Sequence, residues 1–202
     1  MKRENTKQRI LLEAVKLFAK KGFEAVTVEM IAAAVGIKAP SLYKHYKGKQ
    51  DIFESVLKEM ERRDYENASD CSLPVDTKEA APQTYDNISV NELVDYCKLQ
   101  FRYWTEDEFA SSFRKMLTVE QYRSEEMNSL YHQYLCTGPL NYIVDLLGSY
   151  ETALELYSPM FLLYSVYDNA DDRNAVYQAL VSHLDKWMEK WMDKRSNRRK
   201  ST

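Results

Sequence analysis

The stretch "TVEMIAAAVGIKAPSLYKHYKGKQDIF", residues 27–53, decides how the chain is read. Thr27 is a favoured helix N-cap, and Glu29 places an acid in the first turn, where the helix dipole stabilises negative charge. Val28, Ile31, Ala32 and Val35 recur at helical steps, and Gly36 closes this helix after barely two turns. A second helix starts at Pro40, where proline loses no hydrogen bond because first-turn N–H groups lack intrahelical partners. On a wheel of about 100° per residue, Leu42 and Tyr46 fall on one side, while Pro40, Ser41, Lys44 and, at its margin, Tyr43 take the opposite arc. Gly48 reads as the next N-cap, with Asp51 three residues on. A third helix therefore begins at Lys49, with free N–H groups and a lysine suited to a phosphate.

Upstream, "TKQRILLEAVKLFAKKGF", residues 6–23, sets Ile10, Leu11, Ala14, Val15 and Phe18 on one helical face, with Lys7, Arg9, Lys16 and Lys20 elsewhere. Gly22 ends that helix. A short helix, a glycine turn and a second helix with small residues at its start is the geometry of a helix-turn-helix, whose second helix enters a DNA groove. Charge agrees. The chain carries -3 overall, but residues 1–50 hold 11 Lys or Arg against 4 Glu, leaving 17 basic against 27 acidic residues in 51–202. One end suits a polyanion and the rest avoids it.

"TVEMIAAAVGIKAPSLYKHYKGKQDIF" resembles the DNA-binding segment of the TetR (tetracycline-repressor) family of bacterial transcription regulators, over roughly residues 6–58. The pattern is threonine, apolar-periodic helix, Gly-Val, short recognition helix with Leu-Tyr, aromatic, Lys, any, Lys. By that resemblance Thr27 and Tyr43 would bind phosphates, Lys49 would do so at the next helix's N-terminus, and Lys38, Ala39, Pro40, Ser41, Lys44 and His45 would face or flank the major groove. Two positions depart from relatives. Ala39 stands where a polar or charged residue is frequent and Glu29 where some carry a basic one, so base preference does not transfer.

Composition sets the fold class. In 202 residues, 45% are hydrophobic and only 5 are Gly and 5 Pro, with no run of alternating β-branched residues. This is an all-α chain of about nine helices. Residues 1–50 are expected to form a three-helix DNA-binding domain, joined by a connecting helix over 49–66 to a helical effector-binding and dimerisation domain over 51–202. Beyond a long loop over 68–89, helices are expected near 90–105, 107–122, 125–136, 140–148, 151–169 and 172–194, with breaks at Gly138 and Gly148. The basic tail at 194–200 reads as a frayed terminus. Cys71, Cys97 and Cys136, odd in number and without a CxxC pair, read as free thiols. No membrane span or apolar signal core is present, so a cytoplasmic location is expected.

The middle helices are rich in aromatics: Tyr96, Phe101, Tyr103, Trp104, Phe113, Tyr131 and Tyr134, with Met116. A buried tyrosine hydroxyl needs a partner, so many tyrosines favour a cavity with polar points in an apolar wall. The resemblance also implies an effector site in this body. Leu180, Leu184, Trp187, Met188 and Trp191 form a seam at steps of three and four on the last helix, and with the apolar helix before it they suit a four-helix homodimer interface. Two recognition helices about 34–36 Å apart would then read successive major grooves of a palindrome. His132 and Cys136 are four apart, but two ligands make no metal site, and no GxSxG, P-loop or HExxH motif is present. The expectation is a regulator that needs no cofactor and is not an enzyme, with duplex DNA and a small-molecule effector as partners. The alternatives are a DNA-binding protein without an effector and a helical enzyme.

Overall fold

In the computed structural model, residues 6–69 and 89–200 are described, with side chains for 6–67 and 89–193. Among them the chain is helical and without strands: α1 (Thr6–Lys21), α2 (Val28–Val35), α3 (Ala39–Leu42), α4 (Lys49–Ser69), α5 (Val90–Glu106), α6 (Glu108–Glu120), α7 (Glu125–Leu135), α8 (Thr137–Leu147), α9 (Tyr150–Asn169) and α10 (Arg173–Lys200). The all-α expectation holds, with nine helices of two turns or more besides the single turn α3 among the described residues. The loop expected over 68–89, Cys71 included, lies outside the described residues except at its margins, where α4 runs on through Ser69.

The helices group into two compact units. The first takes the chain through Asn67 together with Glu106–His132, and the second takes the chain through Thr105 together with the residues from Gln133 onward. The helix expected over 107–122 is thus grouped with the first fifty residues.

In the first unit, α1 packs against both α2 and α6. Ile10, Ala14, Val15 and Phe18 are fully buried, a stripe broad enough to meet partners on two sides. From α6, Phe109, Ala110, Phe113, Met116 and Leu117 supply the complementary stripe. Polar contacts fix the start of α6. The Asp107 carboxylate accepts from the N–H groups of Phe109 at 3.0 Å and Ala110 at 2.8 Å. Arg63 of α4 lies 3.6 Å from the same carboxylate and 4.6 Å over the Phe109 ring, and Lys16 reaches Glu108 at 2.8 Å. At the far end of α1, the rings of Phe18, Phe23 and Phe53 meet pairwise at 5.1 to 6.2 Å.

In the second unit the α5 ring of Phe101 is central. It stacks on Tyr164 at 5.3 Å, meets Tyr167 edge-on at 5.7 Å and faces Tyr177 at 6.3 Å. Lys98 donates to Asp185 at 2.8 Å, tying α5 to α10, and α9 packs on both α8 and α10. One detail differs from the sequence expectation. α8 begins at Thr137, so Gly138 lies in its first turn and does not break it. A Cβ there would sit 1.9 Å from the Gln133 carbonyl oxygen, which only glycine avoids. α9 contains Pro159, which offers no N–H to the Glu155 carbonyl one turn earlier. That oxygen is met by His183 Nε2 of α10 at 3.4 Å, while Lys190 stands 3.8 Å from the Glu155 carboxylate.

Asp64 on α4 carries the largest carboxyl perturbation among the described residues: burial pushes its pKa up to about 6 from 3.8. The folded state therefore holds this proton more tightly than the unfolded chain, so Asp64 makes stability fall as pH rises from about 4 through 6, and the loss persists above that window. Asp64→Asn is expected to flatten this dependence and to raise stability at pH 7.5 by ~1–3 kcal/mol in urea unfolding. An unchanged pH profile would show the carboxyl to be solvated.

Candidate nucleic-acid interface

The turn between α2 and α3 is built by backbone hydrogen bonds. Thr27 caps α2 by accepting from Met30 N–H at 3.3 Å, and Gly36, at φ 77°, adopts the left-handed conformation that ends it. Gly36 N–H donates to Ala33 O at 3.1 Å and Ile37 N–H to Ala32 O at 2.9 Å, the paired bonds of a Schellman ending. Arg9 of α1 adds a donor to Val35 O at 2.8 Å. The Ala32, Ala33 and Val35 carbonyls are thus satisfied, and the chain reverses in a fixed direction.

α3 is one helical turn, led by Lys38 in extended conformation with Pro40 in the first turn, and it relaxes into turns through Tyr46. Leu42 is fully buried and Tyr46 nearly so, the inward pair that the wheel indicates. The Tyr46 hydroxyl donates to Lys7 O at 3.5 Å, and burial raises its pKa. Lys38, Pro40, Tyr43 and Lys44 are exposed, Tyr43 at 52%, while Ala39, Ser41 and His45 are half-buried. Thr27 and Glu29 are exposed at the head of α2. The Glu29 carboxyl is held below its ordinary pKa by its own backbone N–H and then by the Thr27 hydroxyl, so an acid stands beside the threonine.

α4 starts where the spacing of Gly48 and Asp51 indicates: Ile52 N–H donates to Gly48 O at 3.1 Å, and Lys47 N–H to Asp51 Oδ2 at 2.7 Å. Lys49 is turned inward. Its ammonium donates to Phe23 O at 2.8 Å and Glu24 O at 3.2 Å, and it lies 4.4 Å over the Phe23 ring. From the other side, Phe23 N–H donates to Glu120 Oε1 at 2.9 Å. Phe23 and Glu120 were not among the sequence candidates. They are 97 positions apart, and no local spacing links them.

The aromatic candidates divide between the units. Phe113, Met116 and Tyr131 belong to the first, Tyr96, Phe101, Tyr103, Trp104 and Tyr134 to the second. Phe101, Phe113 and Met116 are fully buried core residues. Trp104 meets Tyr103 at 5.5 Å and Tyr134 at 6.2 Å, and Tyr96 meets Tyr142 at 6.2 Å. On α10, Leu180 and Leu184 are fully buried and Trp187 nearly so within the single chain, with Met188 and Trp191 half-buried. The proposed dimer seam is therefore largely the inner face of α10, its apolar surface already covered by its own chain. Among the described residues, no group of three or more His, Cys, Asp or Glu is placed to hold a metal, and no helix is long and apolar enough to cross a membrane.

Comparison with known proteins follows this division. Residues 10–56 match the family model described as "Bacterial regulatory proteins, tetR family". The chain is 40% identical over 52 residues to the biofilm operon icaADBC HTH-type negative transcriptional regulator IcaR of Staphylococcus aureus, covering 26% of this chain and 28% of that protein. The match thus spans little more than a quarter of that relative's length. Among solved structures, the fatty acid degradation regulator FadR from Bacillus halodurans superposes with a TM-score of 0.58 at 18% identity, over 91% of this chain and 96% of that one. A SmeT–triclosan complex superposes with a TM-score of 0.62 at 15% identity, over 93% and 91%. These identities speak for the fold alone. The N-terminal segment is that of the TetR family, as its motif indicates.

Because Leu42 is the buried anchor of α3, Leu42→Ala is expected to destabilise the first unit by ~2–5 kcal/mol and loosen residues 37–47. Amide hydrogen exchange across that segment measures this, and unchanged protection would show that the recognition segment is held from elsewhere.

Proposed function

We propose that the chain is a ligand-responsive transcriptional regulator, a repressor, that binds a palindromic operator as a homodimer and is released by a small-molecule effector. The observation that carries the DNA-binding part is the Schellman-ended turn, with Leu42 and Tyr46 anchored inward and Lys38, Pro40, Tyr43 and Lys44 left exposed. Short side chains at the start of α3 permit close approach to base edges, and Tyr43 and Lys44 supply donors for phosphates. The segment's match to the TetR family and its likeness to a negative regulator support this reading.

Pairing of two copies finds support on α9. Leu154, Phe161, Leu162 and Val166 are 40 to 64% exposed at steps of seven, one and four, an apolar stripe on the surface of the second unit. A second copy covering this stripe gives a helical interface with small Ser158 and Ser165 between the large side chains. For the effector, the half-buried Tyr96, Tyr103 and Tyr134 with Trp104 in the second unit are the better candidates. The full burial of Phe101, Phe113 and Met116 suits core filling. A bound effector acts by preferring the conformation that misfits DNA.

Two measurements test the reading. Tyr43→Ala and Lys44→Ala are each expected to weaken binding of a duplex selected by the wild-type protein about tenfold, with folding intact by circular dichroism. Equal affinity for both variants rejects the assigned face. Leu162→Glu is expected to yield monomers in analytical ultracentrifugation and to lose operator binding with them. A persistent dimer places the interface elsewhere.

A further inference from the structure

Phe23 sits in the connection from α1 to α2, and both polar groups of its backbone are held by side chains from distant helices. Its N–H donates to Glu120 Oε1 at the end of α6, and its carbonyl accepts from Lys49 Nζ at the start of α4. Glu120 is 2% exposed, and its second oxygen is 3.3 Å from Arg123 Nε. Gly22, at φ 81°, makes room for this carboxylate: a Cβ there would lie 2.9 Å from Oε1. The Lys49 ammonium is committed in the same way, to two carbonyls and the Phe23 ring face.

We propose that Lys49 and Glu120 are positioning residues for DNA binding, clamping the Phe23 backbone from two sides, and that the Lys49 ammonium is not a phosphate ligand. The inference rests on the DNA-binding reading above and departs, at Lys49, from what the family resemblance implies. Lys49 directly follows the recognition segment, and Phe23 precedes α2, so the Lys49–Phe23 bond ties the exit of the helix-turn-helix to its entrance. The Glu120–Phe23 bond ties that same point to α6. Were Lys49 to turn outward to a phosphate, it would abandon the Phe23 and Glu24 carbonyls, a cost the exposed Lys38, Lys44 and Lys47 do not face. Those three are placed to supply the charge that meets a phosphate backbone, and Lys49 orients them.

Salt dependence separates the roles, since each phosphate contact contributes about 0.9 to the slope of log affinity against log salt. With a duplex selected by the wild-type protein from a random library, Lys49→Met is expected to weaken binding about tenfold between about 50 and 200 mM salt with the slope unchanged, whereas Lys44→Ala, which removes one contact from each protomer of the dimer, flattens it by about 1.8. A Lys49→Met slope flattened as much as that of Lys44→Ala overturns the proposal. Glu120→Ala is expected to weaken binding similarly and to speed amide exchange at Phe23. Glu120→Gln, whose amide oxygen still accepts the Phe23 N–H, is expected to restore both. If Glu120→Ala does not fold, Glu120→Gln still decides, because weak binding with fast Phe23 exchange in that variant contradicts the clamp. Failure of the wild-type protein to select any duplex overturns the DNA-binding reading itself, and the Phe23 exchange rates then distinguish that result from a missing clamp.

Discussion

The first unit depends on covering α1 from two sides. Its fully buried Ile10, Ala14, Val15 and Phe18 need more apolar surface than α2, eight residues long, can supply. A helix-turn-helix of some fifty residues buries too small a fraction of its surface to be more than marginally stable alone. α6 enlarges this core with Phe109, Phe113, Met116 and Leu117, and the Asp107 cap, Arg63 and Lys16 set where along α1 it lies. The end of α6 then arrives at Gly22 and Phe23, where a carboxylate can be buried only because a backbone donor and an arginine meet it.

The same packing rearranges the electrostatics. Eleven basic residues in the first fifty suggest a uniformly cationic head. Arg9 donates to the Val35 carbonyl, Lys16 pairs with Glu13 and Glu108, and Lys49 is held by the Phe23 and Glu24 carbonyls. Their charges are partly committed to joining helices. The cations left exposed around the recognition segment are Lys38, Lys44 and Lys47, with Glu29 at the head of α2 opposing them locally. Placement rather than number sets the field that a polyanion would meet.

Features with a local cause were legible in the sequence. The cap at Thr27, the left-handed Gly36, the inward pair Leu42 and Tyr46, and the start of α4 each follow from neighbours within a turn or two. Helical periodicity identifies a buried face but not the helix that covers it, which is why α6 was expected with the body and the α10 seam with a second copy. Tyrosine enrichment, likewise, does not distinguish a ring that lines a cavity from one stacked on Phe101. The Phe23–Glu120 bond joins residues 97 apart, and Lys49 reads as a phosphate ligand until the direction of its side chain is known. Long-range pairing carries no sequence period.

Pro159 has a consequence for the second unit. Proline withholds one donor from the α9 ladder, and the Glu155 carbonyl is left to be met from outside by His183. The imidazole can serve only with its proton on Nε2, because a carbonyl can only accept. Sliding α10 by one turn along α9 would carry His183 about 5.4 Å away, leaving that exposed oxygen to solvent and parting the Lys190–Glu155 ion pair. The hydrogen atom that α9 lacks thus leaves an acceptor that His183 meets in this register of the two helices.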